Sequence, residues 1–119
     1  VTTETITRFE QELKDGFSGA ASALDGTRHL LKLEVHFPAG CKPEKTRALV
    51  VLDPAGAAPE LYLAELPTLA SGNRPAGGTV SVGGKIWNTF SFALRNWNVD
   101  THTAVQFVEG KLRRFALAS

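Results

Sequence analysis

The sequence predicts an α+β domain, and three observations carry that expectation. Apolar residues recur at helical spacing between Ile6 and Phe17. The chain between His29 and Leu66 alternates, or runs apolar, in the manner of strands. Helical spacing returns after Asp100. Strands gathered between two terminal helices favour an antiparallel sheet with helices on one face.

In the first segment Ile6, Phe9, Leu13 and Phe17 form one apolar stripe, the signature of an amphipathic helix. Arg8 with Glu12, and Glu10 with Lys14, stand four apart on the wet side. Thr2 or Thr3 can cap its start, Glu4 suits its first turn, and Gly16 and Gly19 mark its end. From His29 to Phe37, Leu31, Leu33, Val35 and Phe37 alternate with Lys32, Glu34 and His36, predicting a half-buried strand. Pro38, Gly40 and Pro43 punctuate a turn. Ala48 to Leu52 is apolar on both faces, as a central strand is. Glu60 to Leu66 reads as a third strand, with Leu61 and Leu63 on one side and Tyr62 on the other. Pro67 to Gly84 is rich in Gly, Pro and Ser and reads as a long flap, with a short strand over Thr79–Val82. In the last helix Ala104, Val108, Leu112 and Phe115 form a stripe with Val105 beside it. Asp100 or Thr101 is positioned to cap it. The whole describes an N-terminal helix, an antiparallel four-strand meander, a long flap and a C-terminal helix.

At 119 residues the chain suits one domain, 1–119, with one core. Thirteen basic against twelve acidic residues leave a net charge of +1. That balance gives no general attraction to nucleic acid or to a membrane. Lys111, Arg113 and Arg114 form a basic cluster whose plain reading is a cationic helix end facing the dipole's negative pole; a phosphate patch is the other reading. No apolar run approaches the roughly 20 residues that span a bilayer, and Val1-Thr2-Thr3-Glu4 does not resemble a signal peptide. A cytoplasmic location is the default expectation. Opening on Val1 rather than Met suggests processing, trimming or excision. The single cysteine, Cys41, excludes an internal disulfide and a thiolate zinc site.

Thr79 to Ile86 fails as a phosphate loop. Thr79 stands where the first Gly belongs and Ile86 follows the lysine, so turn glycines are the better reading. His29 and His36 point to opposite faces of one strand, against a metal site. No metal and no cofactor is expected. Glu34, Asp53, Glu60 and Glu65 all have plain solvent-facing readings. Cys41 is a candidate nucleophile with Lys42 and Lys45 near it in sequence, set against its reading as a small apolar residue.

Several short motifs resemble the ubiquitin-conjugating enzyme superfamily. Val51 to Leu63 is similar to its proline-containing turn between strands, and Gly84-Lys85-Ile86-Trp87 to its Gly-x-Ile-Cys segment. Trp97 matches the tryptophan before the next helix, and Thr101 to Leu112 that helix. The chain resembles most closely a prokaryotic branch called family E. Pro38-Ala39-Gly40 matches that branch's Pro-x-Gly turn. Gly84, Trp87, Phe90 and Ser91 fit the start of its Gly-x-x-Trp-x-x-Trp-Ser-Arg-His stretch, but Phe92 and Ala93 replace the Arg and His. The resemblance runs from about Leu31 to Phe115. It implies a UBC-like fold and two partners in a bacterial pathway: a ubiquitin-like protein and a ThiF-type activating enzyme.

Conjugation is acyl transfer, which needs an accessible nucleophile and a donor to the developing oxyanion. The resemblance puts Trp87 at the cysteine position, and an indole cannot form an acyl ester. Three readings stay open. Ser91 accepts the modifier as an oxyester, with Asn88, Thr89 and Asn96 supplying hydrogen bonds and His102 close enough to help only if the fold brings it there. Cys41 is the nucleophile, from a turn expected to lie far from the flap. Or the chain is a catalytically silent relative that docks the modifier or the activating enzyme. Trp87 and Trp97 are binding candidates in each. Their plainest role is to bury against the last helix.

Overall fold

The computed structural model describes residues 3–17, 19–55, 59–72, 77–89 and 103–117, with side chains as far as 113 in the last of these. In order they form α1 (Thr3–Gly16), β1 (Ala21–Asp25), β2 (Arg28–His36), β3 (Lys45–Leu52), β4 (Glu60–Leu63), β5 (Thr79–Val82), β6 (Lys85–Asn88) and α2 (Ala104–Leu117). The strands make one sheet ordered β1-β2-β3-β4-β6-β5, antiparallel at each pairing. The class is α+β as expected, but the sheet has six strands rather than a four-strand meander. The two added strands are β1 and β6. Asp25 pairs with Arg28 across a two-residue turn in which Gly26 has φ 63°, a conformation that favours glycine. β1 shows no apolar alternation, because four of its five residues are exposed. β6 follows Gly83 and Gly84, which have φ 59° and 79°. Two successive positive φ values close a tight hairpin.

Alternation on the strands sorts the core into two faces. Leu31, Leu33, Val35, Ala48, Val50, Leu52, Leu61 and Leu63 face the helices. There they meet Ile6, Phe9 and Leu13 of α1 and Ala104, Phe107, Val108 and Leu112 of α2. Phe9 and Phe107 stack tilted, with ring centroids 6.3 Å apart. The helices approach closely because residue 16 is glycine: a Cβ there would collide with Cγ2 of Val105. Asp100 and Thr101, the expected caps, lie outside the described residues; Thr103 caps α2. Its hydroxyl accepts from the Gln106 amide at 3.1 Å, and the Gln106 side chain accepts from the Thr103 amide at 2.8 Å. That reciprocal pair is a capping box. The Glu12 carboxylate of α1 accepts from the Ala104 amide at 3.1 Å, a second cap supplied by the neighbouring helix.

The outer face is closed by the chain itself. Leu30, Leu49 and Val51 bury against Val82 and Trp87, with Tyr62 and Val80 packed alongside. The β5–β6 hairpin reaches them because β6 meets β4 at one described position, Leu63 with Asn88. Beyond it the hairpin folds back across the sheet. Gly83 thereby comes against Leu30 of β2, although β5 and β6 stand at the far end of the strand order. Trp87 is thus buried on the face opposite α2, not against that helix as expected. Its side chain is 4% exposed. It works as the hairpin's anchor, because a large flat side chain covers three aliphatic neighbours at once.

Candidate functional site

Of the candidate residues, Cys41, Asn88 and Thr89 gather at one end of the sheet. β2 leaves there, β3 begins there, and β4 and β6 end there. The turn after β2 is fixed by backbone bonds: Phe37 donates to Glu44 at 2.8 Å and Cys41 to Pro38 at 3.2 Å. Lys42 and Thr68 exchange both of their backbone hydrogen bonds, at 2.9 and 2.7 Å. This ties the turn to the start of the supposed flap, where Pro67 and Leu69 are buried. The flap's described beginning thus anchors in the core through Pro67 and Leu69. At the same end, the Asn88 side chain donates to the Ala64 carbonyl at 2.9 Å. Thr89 donates its amide to Gly78, and its hydroxyl accepts from the Gly78 amide, both at 2.9 Å. Gly77 lies so close that a Cβ would run into the Thr89 carbonyl.

Cys41 shares this end of the sheet with Asn88 and Thr89, so the expected remoteness of the turn does not hold. The 64–70 segment links the two. The thiol itself is 3% exposed and belongs to the main core. A thiol in that setting behaves as a small apolar group, shielded from an incoming acyl donor. Asn88 and Thr89 are half-buried, and their side chains are engaged with backbone groups that clasp the hairpin to the sheet. Ser91, Asn96, Trp97 and His102 lie outside the described residues. Thr89 is two positions before Ser91 in the chain.

Elsewhere, His29 and His36 diverge as the alternation requires. The Nδ1 of His29 lies 2.9 Å from Glu10 of α1, while His36 lies 3.9 Å from Glu34 on its own strand. Among the described residues no group of three His, Cys, Asp or Glu is placed to hold a metal ion. Among the described residues two titrating groups depart from their ordinary values. Burial, and then the nearby Glu60 carboxylate, raise the Tyr62 phenol. Burial lowers the Lys111 ammonium, against an opposing pull from Glu60. Lys111 stands over the Phe107 ring, 5.4 Å from its centroid. The first residue of the basic cluster is thus half-buried against an aromatic face, not simply a charge at a wet helix end. Sequence reasoning missed the Asn88–Ala64 and Thr89–Gly78 clasp, which spacing alone could not signal because its partners are backbone atoms distant in the chain. Compared with family models, with curated proteins and with solved structures, the chain matches none.

Proposed function

We propose that this chain is a ubiquitin-conjugating-enzyme-like domain of a bacterial modification pathway, which accepts or positions a ubiquitin-like protein delivered by a ThiF-type activating enzyme. The observation that carries the reading is the order of parts. A first helix, an antiparallel meander and a second helix on the same sheet face frame a segment beginning Gly84-Lys85-Ile86-Trp87. That segment ends in a clasped pair, Asn88 and Thr89, immediately before Phe90 and Ser91. A rigid clasp at that point would hold the start of an acceptor loop in register with the sheet. In the catalytic form of the reading Ser91 accepts the modifier's carboxyl as an oxyester.

A second form is favoured by the burial of Cys41 and by the backbone commitments of Asn88 and Thr89. These leave the hairpin built for support, and the domain then docks modifier or activating enzyme without chemistry. The two forms separate on incubation with a ThiF-type activating enzyme, a ubiquitin-like protein and ATP, read by intact mass. A base-labile adduct that resists thiol reductant and is lost in Ser91→Ala supports transfer. No adduct, with direct binding to either protein, supports docking. A reductant-sensitive adduct lost in Cys41→Ser, or neither adduct nor binding, sinks the proposal.

A further inference from the structure

β1 stands at one end of the strand order, so its outer backbone edge has no strand partner among the described residues. That edge carries neither Lys nor Pro, the residues that ordinarily blunt an open edge. Four of its five residues are exposed, Leu24 to 68%. The register with β2 fixes which groups point outward. Asp25 and Arg28 flank a two-residue turn, so they exchange both backbone hydrogen bonds. Such pairs alternate along an antiparallel ladder. Ala21 and Ala23 therefore direct their N–H and C=O groups to β2, whereas Ser22 and Leu24 turn theirs to the open side. Side chains alternate as well. Ala21, Ala23 and Asp25 share the outer face with Leu30 and Lys32 of β2, while Ser22 and Leu24 lie on the helix side with Leu31.

We propose that the β1 edge is a dimer contact, at which a second copy of this chain adds its own β1 antiparallel about a two-fold axis through Ala23. That register pairs Ala21 with Asp25 of the second copy, Ser22 with Leu24, and Ala23 with Ala23. It engages the whole of β1, whereas an axis through Ser22 or Leu24 leaves part of each strand unpaired. Ser22 and Leu24 then use every outward backbone group of both strands. The alanines meet on the axis as a pair without hydrogen bonds, where Cα atoms come within about 4.5 Å and small side chains suit. On the outer face Asp25 of the second copy lies opposite Ala21, and Lys32 is the next residue across on β2. Two strand spacings put roughly 10 Å between those backbones, a gap that an aspartate and a lysine side chain close over the alanine methyl. Each row then runs Arg28, Asp25, Ala21, Lys32, with the carboxylate between two cations. Lys32 and Lys85 line a groove that has no carboxylate among its described lining residues, so the arriving Asp25 brings the charge that side lacks. Charge also fixes the direction: parallel self-pairing sets Asp25 beside Asp25, and antiparallel pairing sets each acid toward a lysine. On the helix side each Leu24 covers Ser22 of the other copy, and the two leucines are diagonal neighbours across the axis. The contact does not depend on the conjugation reading.

A ladder of this length covers less than the roughly 800 Å² per partner of a standard interface, so a transient dimer with Kd on the order of 100 µM is expected. In sedimentation equilibrium of the full chain, from about 10 µM to about 1 mM, the average mass should rise from that of one chain towards two. Ser22→Pro removes an outward N–H and no rung to β2, so it should abolish association while circular dichroism stays that of the parent. Lys32→Glu should weaken association by at least about fivefold. Ala23→Cys should give a disulfide-linked dimer on mild oxidation, since residue 23 faces itself at a separation a disulfide spans. Ala21→Cys, on the same strand and face, should not, because its counterpart is Asp25. Cys41 is buried and stays silent in both. Should Ser22→Pro disturb the fold, the two cysteine variants decide alone. A chain monomeric throughout the range, association that survives Ser22→Pro or ignores Lys32→Glu, or equal cross-linking of the two cysteine variants overturns the proposal. So does a monomer that instead binds an extended Thr-Val-Thr-Val-Thr peptide and loses it in Ser22→Pro, since the edge then serves a different strand.

Discussion

Tyr62 is the chain's single tyrosine, so its ionisation can be followed without interference. It packs beside Leu49 and Trp87 on the outer face, and burial and Glu60 hold its phenol above the ordinary value of 10.0. The unfolded chain releases that proton first. The stability this contributes is therefore intact below 10.0 and is lost as pH rises from there through the folded value. Ultraviolet titration of the phenolate should show a midpoint above that of free tyrosine. Tyr62→Phe should flatten the alkaline fall in stability, apart from what Lys111 contributes with the opposite sign. At Cys41 the expectation is kinetic. A thiol 3% exposed in the main core should resist an aromatic disulfide reagent in the native protein and react fully once denatured. Rapid native modification would contradict the packing.

At the scale of elements, α2 is started by two separate groups. Thr103→Ala removes the local cap and should cost about 1 kcal/mol in urea denaturation. Glu12→Gln removes a negative charge from the same helix end and should cost about 0.5 kcal/mol. A double mutant should show coupling between the two losses, since Thr103 and Glu12 serve amides of the same first turn, those of Gln106 and Ala104. The helices and the central strands were legible in the sequence because each has one apolar face of the right period. The α1 stripe and the all-buried run from Ala48 to Leu52 follow directly from it. β1 was not legible by periodicity, since Ala21, Ser22 and Ala23 bury almost nothing. Its signal was the Asp25-Gly26 pair, a turn signature that precedes the strongest strand in the chain. Thr103 was obscured by two equally good capping residues just before it. Of the candidate site, residue types were readable but not burial: nothing in the spacing put Cys41 in the core or Trp87 on the face away from α2.

Across the whole molecule, each sheet face is closed by different means. Two helices cover one and the hairpin covers the other. The first closure is extensive, whereas the second turns on Trp87, Val82 and one rung to β4. Trp87→Ala should cost about 3–5 kcal/mol, the range for deleting a buried aromatic side chain. The loss should fall first on the hairpin. Amide exchange should quicken throughout β5 and β6 while β2 and β3 keep most of their protection, because the small cluster can open without disturbing the large one. Uniform quickening in all six strands would mean that the two faces melt together.

The clasp at Asn88 and Thr89 also has a mechanical consequence. Chain that continues past Thr89 transmits any tension to two short tethers, one to Ala64 and one to Gly78, before it reaches the broad ladders of β2 and β3. A tug on that side of Thr89 unhooks the hairpin like a latch before those ladders bear any load.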